Sequence, residues 1–151
     1  MQGREPQLNN NIFFTCSLIE YIARKTKNTA TAVFDALGRE RVERILELAD
    51  VYHSDNIDAV TDGFVQETGI RAGTFDNVAS ARYSIPSHWD IGKVYKRLVL
   101  NIMDAEGIDP VEAMNRAYHS PISDLINDYN GSFYYESPQA IYAAYATGEL
   151  E

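Results

Sequence analysis

The amino-acid sequence predicts an all-α protein of about seven short helices in two packed helical subdomains. Three observations carry that reading. Asp109-Pro110, Ser120-Pro121 and Ser137-Pro138 each place a polar cap residue directly before a proline. A cap oxygen takes a free backbone N–H, and proline suits the first helical position because its own N–H is not needed there. In the segment after Ser87, the apolar residues Ile91, Val94, Tyr95, Leu98, Ile102 and Met103 recur at spacings of three and four. Alternation of the strand type has no useful length anywhere, and no repeat of about 20–50 residues is evident.

Each element follows from local signals. Ile12, Cys16, Ile19 and Ala23 form a stripe that Phe13 and Ile22 widen, giving a first helix from about Ile12 to Lys25. Arg24, Lys25 and Lys27 suit its C-terminal end. Asn28 or Thr29 caps a short second helix containing Val33, Phe34 and Leu37, which Gly38 ends. A third runs from about Arg39 to Tyr52 and buries Val42, Ile45, Leu46 and Ala49. Ser54 or Asp55 caps a fourth, which ends at Gly69. Within it Asp58 and Asp62 lie four apart and repel mildly. Residues 70–87 show no firm helical period, so 71–86 reads as a connector with a short extended piece near Val78 to Ile85. Ser87 with Asp90 forms a capping-box variant for the longest amphipathic helix. The three proline-initiated helices follow. The N-terminal subdomain thus spans 12–70 and the C-terminal one 87–148. Helices this short need tertiary burial to persist, so the two are expected to pack together.

Composition bounds the function. At 151 residues with 45% apolar content the chain suits one domain, or two small subdomains sharing a core. Residues 1–11 are polar and read as a flexible N-terminus, not as a secretory signal. No window approaches the roughly 18 apolar residues of a membrane span, so no membrane partner is expected. Cys16 is the only cysteine, which excludes an internal disulfide and a cysteine-based metal site. A cytoplasmic location is the default expectation. The 13 basic and 22 acidic residues give a formal charge of −9. Nucleic-acid binding uses basic surface and is therefore not expected. An acidic surface suits solubility, or attraction to a basic partner.

Catalytic chemistry finds no signature. His53, His88 and His119 have none of the spacings of metal ligands. Arg82 and His88, six apart, resemble the arginine-plus-histidine arrangement of certain helical ribonucleases. In that alternative, a small nuclease or nucleotide-acting enzyme, the histidine handles the 2′-hydroxyl proton and the arginine the phosphate. Pro86 between them points to loop rather than helix. Cys16 sits on an apolar stripe with nothing to lower its pKa, so it reads as buried and inert. Gly69 to Gly73 lacks the lysine and helix that would make a phosphate loop. No catalytic, cofactor or metal residue is assigned, and no cofactor is expected.

The aromatic residues remain. Tyr129, Phe133, Tyr134 and Tyr135 crowd one turn, and Trp89 stands near Pro86. Tyrosine offers a broad apolar face and a hydroxyl at modest entropy cost, which suits interfaces. These five are the candidate protein-binding residues. Equally, the same rings could clasp the last helix to the body, and Trp89 could anchor the connector.

Two stretches carry a family resemblance. Ile45-Leu46-Glu47-Leu48-Ala49-Asp50-Val51-Tyr52-His53-Ser54 resembles a family of short helical bacterial proteins of unknown function. Asp90-Ile91-Gly92-Lys93-Val94-Tyr95-Lys96-Arg97-Leu98 and Tyr129 to Pro138 resemble a second such family. Members tend to be encoded close to proteins with an ADP-ribosyltransferase-like fold. The resemblance implies an accessory, antitoxin-like or regulatory role and a protein partner. It carries over no catalytic residue. Homo-oligomerisation stays open.

Overall fold

The computed structural model describes residues 4–148, and among these described residues there are eight α-helices and no strand. The first, α1 (Arg4–Thr26), is the axis of the molecule. Residues 14–20 are buried without interruption, so α1 is covered on all sides rather than along one stripe. Its helix begins at Arg4, which corrects the expected loose segment over residues 1–11; Met1 to Gly3 lie outside the described residues. Gln7 fastens the early turns by donating to Asn11 Oδ1 at 2.8 Å and to Asp50 Oδ1 at 3.3 Å.

Around α1 pack α2 (Ala30–Glu47), α3 (Ala49–His53), α4 (Ile57–Thr68) and α5 (His88–Glu106). Thr29 caps α2 by accepting from Ala32 N. Gly38 breaks α2 with φ 81° and ψ 161°, a conformation open to glycine at little cost. The predicted stop at Gly38 is therefore a kink between two arms of one element. The next interruption comes at Leu48, four residues before the predicted end at Tyr52. The cap of α4 is Asn56, not Ser54 or Asp55: its Oδ1 accepts from Asp58 N and Ala59 N. Ser54 instead donates back to Val51 O. Asp58 does not merely oppose Asp62. It turns to α1, accepting from Tyr21 Oη at 2.5 Å and pairing with Lys25 Nζ at 3.1 Å. The Tyr21 and Lys25 hydrogen bonds hold its carboxyl below the usual range.

The connector is irregular throughout and contains no extended strand. It is stitched to the body instead. Gly73 N donates to Thr26 O at 2.8 Å, Phe75 N to Lys27 O at 2.9 Å, and Asn77 Nδ2 to Asn127 O at 2.9 Å.

The C-terminal half contains α6 (Pro110–His119), α7 (Ile122–Ile126), a 3-10 turn (Phe133–Tyr135) and α8 (Pro138–Thr147). The Ser87–Asp90 capping box is complete. Asp109 and Ser137 cap α6 and α8 as their sequences predict. Ser120 does not cap α7. Its hydroxyl donates back to Ala117 O at 2.7 Å, and Pro121 opens the helix without a side-chain cap.

One contiguous apolar cluster runs through both halves. The most extensive pairing is α1 against α5, which joins the predicted subdomains into a single core. Gly92 of α5 lies directly against Ser17 of α1. A Cβ added there would stand 2.0 Å from Ser17 Oγ and 2.9 Å from Ser17 Cα.

A candidate binding groove held open by a buried carboxylate

Glu20 is 2% exposed on α1. A charge so deeply buried persists only with partners, and it has three. Asn127 Nδ2 donates to both carboxylate oxygens, at 2.8 and 3.0 Å. The Tyr129 hydroxyl donates to Oε2. Arg24, one turn along, brings Nε to 3.6 Å. Arg24 also donates through Nη2 to Tyr129 Oη at 2.7 Å and to Pro86 O at 2.6 Å. The network continues inward. Asn127 Oδ1 accepts from Tyr95 Oη at 2.5 Å, and Tyr95 Oη lies 2.6 Å from Ser123 Oγ. Burial, reinforced by the Glu20 charge, raises the Tyr129 phenol well above its ordinary value, so it stays a donor. Burial likewise raises Tyr95.

These bonds position two chain segments. Arg24 fixes the connector at Pro86. Glu20 fixes the loop Asn127–Tyr129, which leads through a turn closed by Gly131 N to Asp128 O into the 3-10 turn. Between those segments, α5 and the start of α8 lies an open groove of about 370 Å³. Its floor is apolar, built from Ile91, Val94 and Leu98 of α5 and Ile141 of α8. Ser84, Ile85 and Pro86 form one lip, Tyr134 to Glu136 the other. Lys93 and Arg97 stand on the α5 wall with Asp90. Asp90 is engaged, its Oδ2 accepting from Ser87 N at 2.9 Å. A shallower hollow on the far side of Tyr134 and Tyr135 is bounded by Tyr83 and by Asn130 to Ser132.

The structure separates the five aromatic candidates. Tyr135 is 77% exposed at the groove lip. Tyr134 lies beside it, edge to face at 4.5 Å, but is buried, only 8% exposed. Tyr129 is buried and belongs to the Glu20 network, which corrects its reading as a partner-contacting ring. Phe133 is half-buried against the core. Trp89 is not at the groove. It packs among Phe13, His53 and His88 on the side of α5 that faces α1.

Nor does any described cavity bring Arg82 and His88 together. The Arg82 backbone N–H donates to Asn130 Oδ1 at 2.7 Å, while the His88 ring lies 4.8 Å from Tyr21 and 4.7 Å from Trp89. Burial, then the Arg24 charge, lowers its pKa. Among the described residues no group of three or more His, Cys, Asp or Glu could hold a metal ion, and no helix is long and apolar enough to cross a membrane. Cys16 is fully buried, and burial pushes its thiol up to about 12, which leaves it protonated and unreactive at neutral pH.

Sequence reasoning missed Glu20, Asn127, Ile85 and the wall cations. One signal for Glu20 was present: an acid in the otherwise apolar run 18–23, with an arginine four residues on. No family model, curated protein or solved structure matches the chain.

Proposed function

We propose that this chain is a non-catalytic protein-binding module, the accessory or neutralising partner of an ADP-ribosyltransferase-like protein, and that the partner docks across the groove lips. One observation carries the reading. Tyr135, Tyr83 and Ile85 are 77%, 68% and 45% exposed, and all three border the groove or the hollow beside it. Large apolar side chains exposed together mark interaction surfaces, and tyrosine is a favoured anchor in them. The identity of the partner rests on the family resemblance alone. Two of the three resembling stretches, 90–98 and 129–138, build the α5 wall and the tyrosine lip.

The test is capture from native host extract with quantitative mass spectrometry. The bait variant is Tyr135→Ala with Tyr83→Ala; both rings are exposed, so the fold and its melting temperature should not change. Truncating one anchor costs about 2 kcal/mol, or roughly thirtyfold in affinity. A stoichiometric partner with an ADP-ribosyltransferase-like fold should therefore be recovered with the unaltered chain and lost with the variant. Equal recovery with both baits would remove the docking surface from consideration.

A further inference from the structure

Cation pairing is uneven along this chain. Acids outnumber bases 22 to 13, so a basic side chain meets a carboxylate easily. Every lysine and arginine from Arg24 to Arg44 has one within 4.0 Å, and so does Arg116. Lys93 and Arg97 have none among the described residues, although both line the groove. They are four apart on α5 and so share a face, one turn from each other. Lys96 lies between them in sequence, and its pKa is lowered by burial first and then by the Arg97 and Lys93 charges. The nearest acid on α5, Asp90, is committed to the capping box.

We propose that the groove is a site for a small amphipathic monoanion, an apolar body ending in a carboxylate, with the carboxylate against Lys93 and Arg97. The volume of about 370 Å³ falls in the range of small-molecule sites, about 300–1,000 Å³, which are mostly apolar with a few placed polar groups. Ile85, Val94 and Pro138, which keep accessible surface, supply the apolar contact above the buried Ile91, Leu98 and Ile141. Charge-assisted hydrogen bonds from ammonium and guanidinium supply orientation. Glu136 on the opposite lip would repel a second negative group, which selects a monoanion over a dianion. This goes beyond partner docking. The acid occupies the floor, beneath the exposed lip residues, and its binding needs no second protein.

The experiment uses the purified full chain and three probes of one length: decanoate, the neutral decanamide and the cationic decylammonium, all below their micellar concentrations. Binding is read by titration calorimetry, and the location by amide chemical shifts along 90–98 and 133–141. Decanoate should bind at least about tenfold more tightly than decanamide, with shifts confined to those segments. Lys93→Gln with Arg97→Gln, both on exposed side chains, should bring decanoate to the decanamide level and leave decanamide unchanged. The proposal is overturned if decanamide or decylammonium binds as well as decanoate, if the double variant binds decanoate undiminished, or if decanoate leaves the groove shifts untouched. Because no partner is present, failure here leaves the docking reading standing, and failure of partner capture leaves this one standing.

Discussion

Replacing Glu20 with alanine is expected to lower the unfolding free energy by about 3 kcal/mol, as losing one member of a buried charged network does. The loss is large because three donors lose their acceptor together. Asn127, Tyr129 and Arg24 are all oriented on that carboxylate. Unpaired buried donors forfeit their hydration with nothing in return. Glu20→Gln does not escape the penalty. Asn127 presents its N–H₂ to both oxygens, and Tyr129 and Arg24 present donors to Oε2. Either way round, the new amide N–H₂ faces a donor. Urea denaturation gives the stability, and amide exchange at Tyr135 and Glu136 reports on the groove. Exchange there should quicken, since the Asn127–Tyr129 loop leads into that lip. A loss below about 1 kcal/mol, the worth of one ordinary hydrogen bond, would mean that Glu20 is not the hub described.

Gly92→Ala is expected to destabilise by about 2–3 kcal/mol through overpacking, against the usual sign. A glycine inside a helix normally weakens it by about 1 kcal/mol relative to alanine, so the change would ordinarily stabilise α5. Here the methyl would meet Ser17 at 2.0 Å from Oγ and 2.9 Å from both Cα and Cβ. Trimming Ser17 to alanine removes the first contact and leaves the other two, so a Ser17→Ala, Gly92→Ala double variant should recover only part of the loss. Thermal melts of the two single variants and the double variant check this. A stabilised Gly92→Ala protein would show that α1 and α5 do not approach as closely as the structure places them.

What could be read from the sequence was local chemistry. The starts of α5, α6 and α8 are legible because Ser87, Asp109 and Ser137 bond to backbone within three residues of themselves. Gly69 and Gly107 end helices in the left-handed conformation that their type predicts. The failures follow the same logic. Ser54, Asp55 and Asn56 are adjacent polar residues of equal capping competence, and only the path of the chain selects Asn56. Ser120 has the composition of a cap, yet its hydroxyl turns back to α6. Polar residues 4–11 show no apolar period, but their helix is templated by the buried turns that follow.

The groove was half legible. Tyr135 declares itself as an aromatic in a polar turn. Its walls do not, because they meet only in three dimensions. Glu20 joins Asn127 across 107 residues and Tyr129 across 109. A lone carboxylate on a helix looks the same in sequence whether it faces water or the core. Gly92 is silent for a similar reason: its significance lies in Ser17, on another helix.

Photo-crosslinking in the native host tests most directly whether the groove lip is the working surface. Tyr135 is replaced by p-benzoylphenylalanine in one strain. In a second the same residue replaces Val51, which is 61% exposed on α3, outside the groove. Irradiation should yield one discrete covalent adduct from position 135 and none from position 51. No adduct at 135, or the same adduct from both positions, would contradict the docking surface proposed for this chain.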